Sequence, residues 1–272
     1  MKKLGIIAGD GALPICLVQA CEQMKRPYFV VGLKGCLKKN ALPKGTPMAW
    51  IRLGAVGKGL RLLKKNGAED AVMIGAVRRP SFCGIWPDWH TFKLLLKYRK
   101  KALGDDALLK ILIKELEKIG LHVVGIDEIL PHLLIKKGVY GRVLPSPQDT
   151  LDIKRGIQVA RKLGEVDVGQ AVIVQQGLVL AVEGIEGTDA LIHRSAALKR
   201  KGSKGVLVKV AKPQQDRRVD LPTIGSNTIQ SVAEAGFAGI AVQADSVLFS
   251  EADKAIKLAN QMGIFIIGVE VK

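Results

Sequence analysis

Short aliphatic runs alternate with stretches of helical spacing throughout the first 130 residues. Short apolar runs are typical of buried strands, whereas apolar residues three and four positions apart indicate amphipathic helices. Strands that alternate with helices predict a mostly parallel, Rossmann-like sheet covered on both faces. We expect strands at 4–8, 28–31, 48–53, 71–74 and 121–126, and helices at 13–24, 58–65, 89–101 and 105–119.

The second half mixes strands and helices with less regular spacing, so the fold class is α/β in both halves. Prolines and glycines interrupt 131–147, which is typical of a linker. We therefore expect domains at 1–130 and 148–272. In the second domain we expect strands at 171–174, 178–182, 206–210, 240–242 and 264–269, and helices at 150–163, 189–199, 226–235 and 251–262.

The chain is strongly basic, with 42 Lys and Arg against 25 Asp and Glu, a formal net charge of +17. This charge suits a nucleic acid, an anionic membrane surface or a phosphorylated substrate. Only 4% of the residues are aromatic, which disfavours a platform that stacks single-stranded bases. Because the basic runs occur at helix ends and in loops, we favour a solubilising surface over a nucleic-acid groove.

Cysteine usage and hydropathy indicate a cytoplasmic protein. The four cysteines form no C-x-x-C pair and are too few for a disulfide framework. The first apolar run breaks at Asp10, so we expect no signal peptide, and no run is long enough to span a membrane. Peripheral contact with an anionic inner-membrane surface and a homo-oligomer both remain open.

The first motif that could carry chemistry is Gly9-Asp10-Gly11, between a predicted strand and a helix. Glycines at such a turn let backbone amides approach a phosphate at the helix N-terminus. Position 14 is proline, so the full G-x-G-x-x-G is absent, and a tight turn without a ligand fits equally well. No P-loop motif occurs, which argues against ATP hydrolysis of that type.

A second motif runs from Glu183 to Ala190. Gly187 and Thr188 could present amides to an anion beside a carboxylate, or Thr188 or Asp189 could simply cap the following helix. The local pattern leaves both interpretations open.

The third motif is a proline-framed loop from Lys209 to Gly225, at the end of a predicted strand. Ligands in open α/β sheets bind at such strand ends, and lysines and arginines suit phosphates. Asp220 lies between two apolar residues and is expected to be partly buried. It suits a Mg²⁺ ligand or a base that aligns water.

The four histidines are far apart in sequence, and no H-x-H or H-E-x-x-H run occurs. This disfavours a binuclear metallophosphoesterase and a zinc hydrolase. Any metal is therefore expected to be hard and oxygen-ligated, with Mg²⁺ first.

Several segments resemble the LpxI-type UDP-2,3-diacylglucosamine pyrophosphatases, in order along the whole chain. They are KLGIIAGDGALP at 3–14, DVGQAV at 167–172, Glu183 with EGTDA at 186–190, and KP at 212–213 with RVDLPTIG at 218–225. One departure is Ala76, where the family's Gly-Asn-Val-x-Arg-Pro run has Asn; the Arg79-Pro80 pair is retained.

The resemblance implies a two-domain enzyme of lipid A biosynthesis, with its substrate in a cleft between the domains. Such enzymes hydrolyse UDP-2,3-diacylglucosamine to UMP and 2,3-diacylglucosamine 1-phosphate (lipid X), with Mg²⁺ and with water adding at the sugar-side phosphorus. The family's essential Asp falls on Asp220, which is also the expected metal ligand, with Asp189 and Glu183 as helpers. Substrate-binding groups are expected at Gly9, Asp10, Gly11, Arg79, Gln170, Gly187, Thr188, Lys209, Lys212 and Thr223.

Two other functions stay open. The glycine turn and the basic loops equally suit a regulatory module that binds a nucleotide or phosphate without catalysis. A non-specific nucleic-acid-binding protein rests on the charge alone and ranks last, because no recognised nucleic-acid motif is present.

Overall fold

A computed structural model describes residues 1–77, 87–98 and 105–271. The chain divides into two units, Met1–Leu130 and Pro131–Lys272. Each contains a sheet with helices, which confirms the α/β fold class. Within the described residues, no helix combines the length and the apolar character that crossing a membrane requires.

The N-terminal unit contains a five-stranded sheet in the order β3-β2-β1-β4-β5, with every neighbouring pair parallel. This order occurs in doubly wound nucleotide-binding folds. Strands β1, β2 and β4 are mostly apolar and buried, as short apolar runs predict. The elements are β1 Leu4–Ala8, α1 Leu13–Gln23, β2 Tyr28–Leu33, β3 Met48–Ile51, α2 Val56–Lys65, β4 Asp70–Ile74, α3 Trp89–Tyr98, α4 Asp105–Lys118, β5 His122–Val123 and α5 Ile126–Ile129.

The strand predicted at 121–126 is shorter in the structure, where β5 covers only His122–Val123. The following residues turn into the short helix α5. Glu128 starts this helix by accepting a hydrogen bond from the Gly125 amide at 2.9 Å. Ile126 is buried in the helix just as it would be in a strand, so periodicity alone does not separate the two structures.

The C-terminal unit is built on a mixed six-stranded sheet in the order β6-β13-β11-β9-β7-β8, with a separate parallel pair of β10 and β12. Strands β9, β11 and β13 are parallel, and β7 is antiparallel to both its neighbours. The elements are a 3-10 turn Pro131–Leu133, β6 Gly138–Tyr140, α6 Pro147–Glu165, β7 Ala171–Gln175, β8 Leu178–Val182, α7 Thr188–Ser195, a 3-10 turn Ala196–Leu198, β9 Val206–Lys209, β10 Thr223–Ile224, α8 Ser226–Glu234, β11 Gly239–Gln243, β12 Leu248–Phe249, α9 Ala252–Met262 and β13 Phe265–Val269.

The segment 131–147, expected to be a linker, contributes an edge strand to the C-terminal sheet. Strand β6 pairs antiparallel with β13, so that Gly138 lies opposite Gly268. A Cβ at Gly268 would lie 2.1 Å from the carbonyl oxygen of Lys136, so the approach requires glycine. A strand of three residues is too short to leave a periodic pattern, and its glycines suggest a loop instead.

Helix α6 packs on one face of this sheet through a glycine. A Cβ at Gly156 would lie 2.4 Å from Cγ2 of Val208 on β9, so the helix approaches the strand more closely than alanine would allow. Ile153 and Ala160 of the helix are buried in the same cluster. Helices α7, α8 and α9 contribute to a second hydrophobic cluster, in which Leu191, Ile229 and Ala255 are buried.

Asp152 connects α6 to the turn between β7 and β8. It is fully buried, and its carboxylate accepts hydrogen bonds from the backbone amides of Gln176 at 2.9 Å and Gly177 at 2.6 Å. The side chain of Gln148 donates a third at 3.1 Å. A buried carboxylate is stable when it is hydrogen-bonded in this way.

We expect Asp152→Ala to lower the free energy of unfolding by about 2–3 kcal/mol, because hydrogen bonds to a charged group stabilise by about 1.5–3 kcal/mol. Asp152→Asn is the matched control, since it keeps one carbonyl acceptor and should lose about half as much. Urea unfolding measures both. An alanine variant as stable as the parent would contradict this role.

Candidate functional site

The carboxyl ends of β1 and β4 meet where the N-terminal strand order reverses, the position at which open α/β sheets bind ligands. Gly9 follows β1 and Gly75 follows β4. A Cβ at Gly9 would lie 2.6 Å from the Ala76 carbonyl oxygen, and one at Gly75 would lie 2.7 Å from the Asp10 carbonyl oxygen. The two loops therefore touch backbone to backbone, which only glycines allow.

The amides of Gly9, Asp10 and Gly11 already have acceptors within the protein. The Gly9 amide donates to the Ile74 carbonyl and the Asp10 amide to the Ala76 carbonyl, both at 2.8 Å. The Gly11 amide donates to the Asp10 carboxylate at 2.9 Å. A phosphate would take these amides only by displacing those bonds, so binding by this turn stays a prediction. Arg79 lies outside the described residues.

In the C-terminal unit, a buried lysine lies at the centre of the predicted site. Lys209 is the last residue of β9 and is only 6% exposed. Its Nζ donates to the Thr188 hydroxyl at 3.0 Å and to the Thr223 carbonyl at 3.1 Å. Burial lowers the pKa of Lys209, while the charges of Glu183, Asp189 and Asp220 act in the opposite direction. The charges of three predicted carboxylates therefore act on one buried ammonium group.

Thr188 joins this lysine to Glu183. The Thr188 hydroxyl donates to Oε1 of Glu183 at 2.6 Å, and the Gln170 amide donates to Oε2 at 3.0 Å. Glu183 is 6% exposed and follows β8, whereas Thr188 opens α7. We call Lys209, Thr188 and Glu183 the Lys–Thr–Glu chain. Its hydrogen bonds connect the end of β9, the start of α7 and the end of the β7–β8 hairpin.

Gln170 supplies a buried acceptor beside this chain. Its side-chain oxygen is buried and has no hydrogen-bond partner in the part of the protein that the structure describes. Buried polar atoms without partners are uncommon, and they often mark the place of a water molecule or a ligand. The backbone approaches closely here, because a Cβ at Gly169 would lie 2.2 Å from the Glu183 carbonyl oxygen.

Asp220 lies in the loop between β9 and β10 and is half-buried. Its carboxylate accepts a hydrogen bond from the side-chain amide of Gln215, and its backbone amide donates to the Asp216 carbonyl at 3.1 Å. Its charge also reaches Lys209. The charge of Asp220 therefore acts on the buried lysine, and the residue is neither fully buried nor fully exposed.

The other charged side chains of this loop have partners within the C-terminal unit. Lys212 forms a 2.6 Å ion pair with Asp167, and Arg218 forms one of 2.8 Å with Asp216. Arg217 donates to the Asp245 carbonyl at 2.6 Å, which holds the loop against the turn after β11. These pairs give the loop a fixed conformation, although its composition resembles that of a solvated surface loop.

The C-terminal unit thus brings most of the predicted residues into one region. Gln215, the partner of Asp220, was not among the predicted residues. No sequence signal distinguishes Gln215 from its neighbour Gln214, which instead donates to the Gly164 carbonyl at 2.6 Å. The predicted residues gathered here are Gln170, Glu183, Gly187, Thr188, Asp189, Lys209, Asp220 and Thr223, with Lys212 at the start of the same loop.

The donor set permits a hard cation with few protein ligands. Residues 1–77, 87–98 and 105–271 contain no cluster of three or more His, Cys, Asp or Glu side chains that could hold a metal ion. Mg²⁺ commonly uses one or two carboxylates and completes its coordination with water and substrate phosphates. Asp220 and Asp189 are the two carboxylates other than Glu183 whose charges act on Lys209, and Mg²⁺ needs no more than two.

Comparison with known proteins gives a consistent result along the chain. The family models for the LpxI N-terminal domain and the LpxI C-terminal domain match residues 3–133 and 136–267. A protein named UDP-2,3-diacylglucosamine pyrophosphatase LpxI, from Caulobacter vibrioides, is 39% identical over 277 residues, covering 99% of this chain and 98% of that protein.

Among solved structures, N5-carboxyaminoimidazole synthase from Aspergillus clavatus aligns over 73% of this chain and 44% of its own, with 13% identity and a TM-score of 0.22. A similarity this low carries no information about function.

We expect Thr188→Val to lower the free energy of unfolding by about 2–4 kcal/mol, because it leaves Glu183 and Lys209 each without one partner, at about 1–3 kcal/mol per buried group. Thr188→Ser keeps the hydroxyl and should lose less than about 1 kcal/mol. Urea unfolding of the two variants side by side measures the difference. Equal losses would show that the hydroxyl does not bridge the two charged groups.

Proposed function

The chain belongs to the LpxI family, and from that membership we propose that it hydrolyses the diphosphate of UDP-2,3-diacylglucosamine in lipid A biosynthesis. The products are UMP and 2,3-diacylglucosamine 1-phosphate. The observation that carries the proposal is that Asp220, the aspartate of the RVDLPTIG segment, is half-buried and acts by its charge on Lys209 of the Lys–Thr–Glu chain.

In the proposed reaction, the oxygen of a water molecule bonds to the sugar-side phosphorus, and the bond from that phosphorus to the oxygen bridging to UMP breaks. Asp220 orients the water and accepts its proton, or it ligates the metal ion. Gln215 supports either role, because its amide holds one carboxylate oxygen and leaves the other for water or a cation. Group positioning of this kind is a main source of rate enhancement.

Lys209 and Glu183 act on the site through other residues. Their side chains are bonded to Thr188, and Lys209 is bonded to the Thr223 carbonyl as well. They therefore position the start of α7 and the end of the Asp220 loop. Asp189 is exposed and is available as a second carboxylate.

We also propose that the enzyme uses Mg²⁺. A bound Mg²⁺ would neutralise phosphate charge and polarise the phosphoryl oxygens. Asp220, with Asp189 as a second carboxylate, would hold it together with substrate oxygens.

A reducing, cytoplasmic compartment fits the state of the thiols. Cys16, Cys21 and Cys36 are free. Burial raises the pKa of Cys16 and Cys21, which keeps these thiols protonated and unreactive. We therefore assign these two cysteines to packing in the N-terminal unit and not to chemistry.

Incubation with UDP-2,3-diacylglucosamine in ¹⁸O-water should yield UMP and 2,3-diacylglucosamine 1-phosphate, with the heavy oxygen in the sugar phosphate. A chelator should stop the reaction, and added Mg²⁺ should restore it. Mass spectrometry of both products measures the outcome. An intact diphosphate would indicate a non-catalytic binding module, whereas ¹⁸O in UMP would place the attack at the other phosphorus.

We expect Asp220→Ala to reduce UMP release by about a thousandfold or more, because a metal-assisted step loses several kcal/mol of stabilisation with its ligand or base, and each 1.4 kcal/mol is about tenfold. Asp253→Ala is the control, since it removes an exposed carboxylate from α9 and should leave the rate unchanged.

Asp220→Asn separates the two roles proposed for this carboxylate. If Asp220 ligates the metal, the asparagine variant should recover part of its rate at high Mg²⁺ concentration; if Asp220 only takes the proton, it should not. Near-normal turnover in a folded Asp220→Ala enzyme would disprove the assignment.

A further inference from the structure

Helix α3 exposes an apolar stripe to the outside of the N-terminal unit. Trp89, Phe92 and Leu96 are 69%, 42% and 55% exposed. Their spacing of three and four residues places them on one side of the helix. The Trp89 and Phe92 rings stack with centroids 5.7 Å apart, so these two side chains form one apolar surface. Large apolar side chains grouped in this way mark an interaction surface more often than isolated ones do.

The opposite side of α3 is fastened to the protein by polar contacts. Thr91 is buried; its hydroxyl accepts from the Val56 amide at 3.1 Å and donates to Asp88 at 2.7 Å. His90 lies 3.0 Å from Glu115 of α4, and a Cβ at Gly57 would lie 2.6 Å from the His90 Cβ. These contacts fix which side of the helix faces the core, so the apolar stripe is held outward by the fold.

Cations flank the stripe. The Lys93 ammonium lies 5.3 Å from the centre of the Trp89 ring, and Lys97 lies at the same distance from the Tyr98 ring. Helix α2, which packs against α3, carries four exposed cations, and neither helix contains an acidic residue. The four cations of α2 are Lys58, Arg61, Lys64 and Lys65.

This arrangement matches the surface of an anionic bilayer. Interfacial helices place tryptophan, phenylalanine and leucine among the upper acyl chains while lysines reach the headgroups. Basic residues near an anionic leaflet add an attraction that salt weakens. The apolar stripe of α3, together with the cations of two helices that contain no acidic residue, complements anionic lipid in both respects.

We propose that α3, supported by the cations of α2, docks this protein on an anionic lipid surface through Trp89, Phe92 and Leu96. Lys93 and Lys97 then lie at the level of the headgroup phosphates. The inference does not rest on the proposed hydrolase activity, and its test contains no substrate.

The test is co-sedimentation of the full chain with vesicles of phosphatidylcholine alone or mixed with phosphatidylglycerol. The protein should bind the mixed vesicles, and high salt should weaken the binding. W89S/L96S should reduce the partition coefficient at least about tenfold, because it removes much of the inserted apolar surface. K93Q/K97Q should reduce binding to the mixed vesicles and flatten its salt dependence.

The matched control is L144S/L151S, which removes two apolar side chains, 72% and 58% exposed, from the C-terminal unit. It should bind like the parent. Circular dichroism and urea unfolding verify that all variants are folded.

Three results would overturn the proposal: no binding to the mixed vesicles, equal binding by W89S/L96S and the parent, or equal losses in W89S/L96S and L144S/L151S. Self-association that W89S/L96S abolishes, without vesicle binding, would assign the stripe to a second copy of the chain instead.

Discussion

The buried ammonium of Lys209 is the constraint on which the C-terminal unit depends. Removing an ion from water costs several kcal/mol unless hydrogen bonds and opposite charges compensate it. Thr188 and the Thr223 carbonyl supply the bonds, and Glu183, Asp189 and Asp220 supply the charge. Because these groups come from the end of β8, the start of α7 and the loop before β10, satisfying one lysine fixes the relative positions of three segments. The residues that surround the proposed reaction site therefore also hold these three segments of the C-terminal unit in place.

The hydrogen bonds around Lys209 distinguish residues that support the site from a residue that is able to react. Both carboxylate oxygens of Glu183 and the hydroxyl of Thr188 are engaged inside the Lys–Thr–Glu chain. Asp220 differs because it is half-buried and the hydrogen bond that it accepts from Gln215 involves only one of its carboxylate oxygens. A carboxylate held on one side and open on the other is suited to orient water or a cation. The ion pair between Lys212 and Asp167 holds the same loop, so this lysine shapes the site before any substrate binds.

The sequence predicted the elements with long apolar patterns and missed those made by pairing alone. Strand β1 at Leu4–Ala8 was predicted to the residue, whereas β10 and β12, of two residues each, have no pattern of their own and form by pairing with each other. The same distinction holds in the site. Asp220 is recognisable from its motif, but the bond between Lys212 and Asp167 joins residues 45 positions apart and follows only from the fold. The Gly9 turn carries a phosphate-type pattern, yet its closest contact is the backbone after Gly75.

Helix α3 shows why a correct helix prediction leaves its role open. Apolar residues three and four positions apart ordinarily mark the side of a helix that packs into the core. In α3 that side is exposed, and the buried position is Thr91, a polar residue whose hydroxyl is satisfied by Val56 and Asp88. The sequence pattern is the same whether the apolar side of the helix faces the core or the solvent. In α3 the contacts of Thr91 and His90 place the apolar side outward. Polar anchoring on one side thus converts an ordinary amphipathic pattern into an outward-facing surface, and the lysines that punctuate it become part of that surface instead of a general aid to solubility.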